Sequence, residues 1–263
     1  MAERTILDEI ADYTRGRVEK YRSEVSLQDM RARARSLDPD TGFKFENALR
    51  KDNISFICEV KKASPSKGII AGDFPYLKIA LDYEAAGADA ISVLTEPNWF
   101  LGNDKYLTQI KSAITIPVLR KDFTVDEYMI YQARVMGADA VLLIVSLLSD
   151  DQLCEYLDIA DELGLSALTE CHDEEEIEKA ISLGARIIGV NNRNLKNFSV
   201  NPLNALSLRA KVPSGILFVS ESGISERSQV ESLEENGVDA VLIGETLMKS
   251  EDKKGCLRYL RGF

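Results

Sequence analysis

Histidine occurs once in the chain, as His172, and cysteine only four times, at Cys58, Cys154, Cys171 and Cys256, among 263 residues. None of these falls at a zinc-ligand or CxxC spacing, so a structural zinc site is not expected. The same cysteine usage suits a reducing compartment, and a cytoplasmic location is the expectation. No run approaches the roughly 20 apolar residues that a membrane-spanning helix needs. The opening, Met1-Ala2-Glu3-Arg4-Thr5, leads into a charged segment without the apolar centre of a secretion signal. The chain therefore reads as unprocessed and free of the membrane. Basic residues are also in deficit, 32 Lys and Arg against 43 Asp and Glu, for a formal net charge of −11. Nucleic acid and acidic membrane surfaces would be repelled, and neither is an expected partner. An anionic small molecule remains admissible if positive charge is gathered locally. No strand leads into a GxGxxG turn, so the chain lacks a dinucleotide fingerprint, and neither cofactor nor metal is expected.

With 45% hydrophobic residues the chain can bury a large core, as one big α/β domain or two smaller ones. The first fifty residues read as helices. Ile6/Leu7, Ile10, Tyr13/Thr14, Val18 and Tyr21 recur at helical spacing, giving an amphipathic helix that needs a body to lie on. Ser26-Leu27-Gln28-Asp29 has the form of a capping box and starts a second helix running to about Ser36. Pro39-Asp40-Thr41-Gly42 is a turn. Residues 1–50 are thus an N-terminal helical extension packed on the main body.

From Ile54 a repeat sets the architecture. Four segments, around Gly87, Gly137, Gly184 and Gly237, each join a helix end, a glycine suited to the left-handed cap and a continuous apolar strand. These glycines fall roughly fifty residues apart, the length of two βα units. Between them lie further strands at Ile116-Pro117-Val118-Leu119, Leu165-Ser166-Ala167-Leu168-Thr169 and Gly215-Ile216-Leu217-Phe218-Val219, and the first strand runs from Ser55 to Val60, ending at Pro65 and Gly68. Eight strands, each followed by a helix, predict a (βα)8 TIM barrel forming one domain over residues 1–263, in preference to a doubly wound sheet. In such a barrel chemistry collects at the carboxyl ends of strands. Those ends carry Glu59, Lys61 and Ser64; Thr95 and Glu96; Arg120, Lys121 and Asp122; Glu170; Asn191 and Arg193; Glu221, Ser222 and Gly223; and Gly244 and Glu245. Ser222-Gly223 and Gly244 offer backbone N–H groups where a barrel commonly seats phosphate, with Ser64 and Arg193 reaching from the side. Glu245 is an awkward neighbour there, and its side chain is a doubtful ligand. Cys171 and His172 are not a nucleophile pair, because adjacent strand residues face opposite ways; His172 reads as a polar loop residue.

Five motifs in order resemble the indole-3-glycerol phosphate synthase family: Glu59 to Ser66, Leu119 to Phe123, Glu170-Cys171-His172, Gly189 to Leu195, and Ser220 to Ile224. The resemblance implies a carboxy-lyase of tryptophan biosynthesis. Its reaction closes 1-(2-carboxyphenylamino)-1-deoxyribulose 5-phosphate to an indole with loss of carbon dioxide and water. By the same resemblance Lys121 is the general acid and Glu170 the base. Lys61 is either a second acid or the partner of the substrate carboxylate. Glu59 and Glu221 orient the lysines, and Asn191 bonds a substrate hydroxyl or Glu170. Phe123 and Leu142, after and within their strands, either wall the anthranilate ring or pack in the core. Burial beside Lys61 is expected to lower the pKa of Lys121. The partner is an anionic sugar phosphate. A monomer is expected, with at most weak association with other enzymes of the pathway. Three rivals are distinguishable: another phosphate-binding barrel enzyme would lack the two lysines, a Schiff-base aldolase would be trapped by borohydride, and a noncatalytic binder would release no indole.

Overall fold

The computed structural model describes residues 4–194, 198–201 and 203–263. Met1, Ala2 and Glu3, on which part of the reading of the opening segment rests, and Leu195, which ends the fourth motif, lie outside the described residues. Eight parallel strands close into a barrel: β1 (Ser55–Val60), β4 (Ala90–Leu94), β5 (Val118–Lys121), β6 (Ala140–Ile144), β7 (Ser166–Cys171), β8 (Ile187–Asn191), β9 (Leu217–Glu221) and β10 (Ala240–Ile243). A two-stranded hairpin, β2 (Ala63–Ser64) against β3 (Gly68–Ile69), follows β1, so the chain turns back on itself where the sequence reads only a strand tip. The repeat's glycines take the left-handed conformation, with φ of +95° at Gly87, +87° at Gly137, +94° at Gly184 and +75° at Gly237. Each ends a helix and turns the chain into the next strand.

Alternation along the strands does the rest. In β1, Phe56, Cys58 and Val60 join the layer between strands and helices. Ile57 faces the barrel interior together with Leu119, Leu168, Gly189's neighbour Ile187 and Val219. A strand returns to the same face every second residue. Two residues beyond Ile57 is Glu59; beyond Leu119, Lys121; beyond Leu168, Glu170; beyond Gly189, Asn191; and beyond Val219, Glu221. Five polar side chains thus reach the carboxyl rim of one interior, as the barrel topology requires.

The N-terminal helices close both ends. α1 (Ile6–Glu24) is capped by Thr5 and Asp8 in a reciprocal box. Its Ile10 is buried in the interior cluster beside Phe123 and Ile144, at the carboxyl rim. Arg17 of α1 and Asp122 form a buried ion pair at 2.6 Å that ties the helix to the loop after β5. Asp122 is therefore not a partner of Lys121. α2 (Leu27–Arg35) starts at Ser26, whose hydroxyl accepts the Asp29 N–H at 3.1 Å, and it packs on the helix Glu127–Val135. The six-residue α3 (Lys44–Leu49) follows Phe43, whose φ of +45° is left-handed. Its Phe45 and Leu49 are fully buried in the interior, and the Glu46 N–H donates to Ser166 Oγ at the start of β7, 3.3 Å away. α3 therefore plugs the amino-terminal end of the barrel. Among the described residues no helix is long and apolar enough to cross a membrane.

Candidate active site

Lys121 Nζ stands between two carboxylates, 2.8 Å from Glu170 and 3.1 Å from Glu221. Asn191 Nδ2 donates to the other oxygen of Glu170 at 3.2 Å. Lys61 is held by Glu59, which also accepts from Ser92 Oγ at 3.5 Å. The three carboxylates are buried, and the two lysines keep a small exposure toward the mouth. Close packing makes this possible. A Cβ on Gly189 would overlap the Glu221 carboxylate, and one on Gly244 would overlap Glu59 and crowd Lys61. Gly244 thus makes room for the acid–lysine pair as well as offering its backbone.

The protonation pattern corrects one expectation. Burial alone would lower the pKa of Lys121, but the charges of Glu170, Glu221 and Glu59 outweigh it, and the pKa is raised. Lys61 does not supply the expected repulsion, because its ammonium is tied to Glu59. Burial favours protonation of Glu170, yet Lys121, His172 and Asn191 hold it below the ordinary carboxylate value. Glu221 is different: burial together with the charges of Glu170 and Glu59 overcomes Lys121 and pushes it up to about 7. At neutral pH the free site thus holds an ammonium, one firm carboxylate and one carboxyl poised to take or release a proton.

Above this centre lies a cavity of about 1060 Å³, measured with its open mouth, lined by Glu59, Lys61, Lys121, Glu170, Asn191 and Glu221, and by Phe123 and Leu142 as its apolar wall. Phe123 packs on Phe100, ring centroids 5.9 Å apart. Ser64, Arg193, Ser222, Gly223, Gly244 and Glu245 line the same cavity. Ser222 and Gly223 are both left-handed, with φ of +68° and +80°. The Glu245 side chain faces this rim: its carboxylate lies 3.2 Å from Arg193, 3.6 Å from Lys67 and 2.6 Å from Lys249. Positive charge is gathered at the site, as an anionic ligand demands, but in the free protein carboxylates neutralise it.

Several strand-end residues go elsewhere. Arg120 points outward, donating to Met129 O at 3.0 Å, Asp104 at 3.0 Å and Gln132 at 2.9 Å. Glu96 accepts the N–H groups of Asn98, Trp99 and Phe100 and so shapes the loop after β4. Thr95 bonds Asp122. Six contributors escape the sequence reading. Phe100 and the α1 residues Ile6, Leu7 and Ile10 line the cavity, and they were hidden because only polar strand ends mark a site. Lys67 joins the rim from the hairpin tip. His172 is no mere loop residue: its Nε2 lies 3.6 Å from Glu170 and its Nδ1 3.1 Å from Glu176. The exclusion of a Cys171–His172 pair stands, since the Cys171 thiol is buried on the outer layer and its pKa is raised by burial.

A family model described as indole-3-glycerol phosphate synthase matches residues 7–260. A protein of that name from Ruminiclostridium cellulolyticum is 56% identical over 257 residues, covering 98% of this chain and 99% of its own. Another so named, from Endomicrobium trichonymphae, is 54% identical over 256 residues, covering 97% and 99%. Among solved structures, 3-hexulose-6-phosphate synthase from Salmonella typhimurium superposes with a TM-score of 0.65 at 18% identity, over 79% of this chain and 96% of its own, which is a likeness of fold.

Proposed function

The chain belongs to the indole-3-glycerol phosphate synthase family, and from that premise we propose how its site performs the ring closure of 1-(2-carboxyphenylamino)-1-deoxyribulose 5-phosphate. The observation that carries the reading is Lys121 bracketed by Glu170 and Glu221 at the rim of one cavity with Lys61. The ring carbon bearing the carboxylate attacks the ketone carbon, and the carbonyl electrons move to oxygen, which takes a proton from Lys121. Carbon dioxide then leaves, returning its bonding pair to the ring. The new hydroxyl departs as water with a second proton, given up by protonated Glu221, and Glu170 removes a proton from the adjacent methylene to complete the indole.

An ammonium clamped by two carboxylates is a reluctant acid. Substrate changes that balance by placing its ketone where a carboxylate now meets Lys121, while Glu221, poised near neutrality, holds a proton. Lys61 receives the substrate carboxylate, and Asn191 keeps Glu170 aimed. Phe123 and Leu142 wall the aromatic ring. The phosphate takes the rim formed by Ser222, Gly223 and Gly244 with Arg193 and Ser64, displacing the Glu245 carboxylate from Arg193. The working unit proposed is a monomer, and the absence of basic excess agrees with a small-molecule partner.

The test is an indole-fluorescence assay with this substrate. Wild type is expected to turn over, and Lys121→Ala to lose about 10²–10⁴-fold in kcat, the usual worth of a positioned general acid. Equal turnover in the two proteins would remove Lys121 from the mechanism.

A further inference from the structure

The ring closure proposed above does not conserve protons. Two are delivered, to the ketone oxygen and to the departing hydroxyl, and one is recovered from the methylene. Each turnover therefore draws one proton from solvent. The groups that must be recharged are buried: Glu170 is 2% exposed and Lys121 keeps 13% of its side chain exposed, toward a mouth that substrate fills.

A second way out exists. His172 borders a second cavity, lined also by Asp173, Glu176, Asn204 and the start of α1, which shares Asn191, Ile6 and Leu7 with the first but is the one that His172 lines. Its Nδ1 and its backbone N–H both meet Glu176 Oε2, at 3.1 and 2.8 Å, and its carbonyl accepts from Asn204 Nδ2 at 3.3 Å. Glu176, on the first turn of the helix Glu174–Ser182, retains 19% side-chain exposure. The inner nitrogen, Nε2, is buried without a hydrogen-bond partner and lies 3.6 Å from Glu170 Oε1, about 0.7 Å beyond bonding distance.

This arrangement is unusual for a structural histidine. If Nδ1–H donates to Glu176, a neutral ring turns a lone pair toward an ionised carboxylate. The pairing is favourable only when Nε2 carries a proton or Glu170 does. Those are the two states between which a proton would pass. The charged groups around the ring are Glu170 and Glu221 on the inner side, Glu176 and Asp173 on its own segment, and Arg4 and Asp8 across the cavity. Burial opposes the imidazolium, but Glu176 and Glu170 outweigh it, and the pKa of His172 is raised.

We propose that His172 is the proton inlet of the site, carrying a solvent proton from the Glu176 side to Glu170, which returns it to Lys121. The proton binds Nδ1; the N–H bond at Nε2 breaks as the O–H bond on Glu170 forms; Glu170 then gives that proton to deprotonated Lys121 across the 2.8 Å contact. The ring resets by exchanging its Nδ1 proton for one on Nε2 with water in the adjoining cavity that it borders. His172 acts through Glu170, so it is a positioning and relay residue and does not itself meet substrate.

The experiment compares first and later turnovers in rapid-quench and steady-state assays of His172→Gln. A site already charged is expected to complete its first turnover at the wild-type rate. Later turnovers fall by about tenfold, less than for a group that meets substrate because solvent keeps a slow path. KM stays within about twofold, and added imidazole restores part of the loss. Glu176→Gln, which removes only the outer partner, is expected to slow later turnovers and spare the first. Steady-state kcat within about twofold of wild type in His172→Gln would overturn the inlet. So would a first turnover slowed as much as the later ones without imidazole rescue, which marks a purely structural role. Wild type that forms no indole at all would instead strike the ring-closure reading on which the inlet rests, a distinguishable result.

Discussion

Replacing Glu221 by Gln is expected to stabilise the protein above neutral pH while impairing it as a catalyst. The carboxyl is 1% exposed and titrates at about 7 instead of 4.5, because burial and the charges of Glu170 and Glu59 exceed the attraction of Lys121. A folded-state value above the unfolded one means that the native form holds the extra proton between those two pH values. Stability from this group is complete below about pH 4.5 and drains away as pH rises to about 7. At about 1.4 kcal/mol per pH unit, the interval corresponds to about 3 kcal/mol. Glutamine, neutral throughout, avoids that loss. Thermal melts of both proteins from pH 4.5 to 8.5 should give coincident Tm values at the acid end. They should then separate until the variant melts about 6–12 °C higher, at about 2–4 °C per kcal/mol for a chain of this size. A constant gap at all pH values, or a variant less stable at pH 8, would refute this account of Glu221.

Two further outcomes follow from neighbouring features. Asp122→Asn leaves Arg17 charged and buried without its partner, the two side chains being 0% and 7% exposed; the expected cost is about 3–5 kcal/mol, read as a Tm lower by about 10 °C. Glu245→Ser frees Arg193 and Lys67 from the carboxylate they now share; inorganic phosphate should then inhibit about tenfold more tightly, the worth of one charge-assisted contact, and an unchanged inhibition constant would show that Glu245 does not contest the phosphate seat.

The barrel was legible because its signals are local. Each of Gly87, Gly137, Gly184 and Gly237 sits between its helix and its strand, so a single short segment announces a left-handed cap and a buried run. The inward set was legible too, since Glu59, Lys121, Glu170, Asn191 and Glu221 follow from counting in twos along strands whose apolar residues are unmistakable. Sequence spacing says nothing, however, of what those side chains meet across the barrel. Lys121 lies 49 positions from the Glu170 that pairs with it, and the direction of its pKa is decided by carboxylates that no local pattern links to it. α3 escaped for another reason: its six residues are too few to display a helical period, and its burial depends on the barrel end it fills. His172 was hidden by its place one residue past the strand end, where a polar side chain carries no mark of direction.

The division of labour between acid and base is tested most directly by following carbon dioxide and indole separately in one turnover. With Glu170→Gln, the account predicts release of carbon dioxide close to one equivalent per site, while indole absorbance lags far behind, because Lys121 still promotes ring closure and the methylene proton has no base. Lys121→Ala should release neither at an appreciable rate. Carbon dioxide evolved at the wild-type rate by Lys121→Ala, or carbon dioxide and indole appearing together in Glu170→Gln, would contradict the assignment of Lys121 as acid and Glu170 as base.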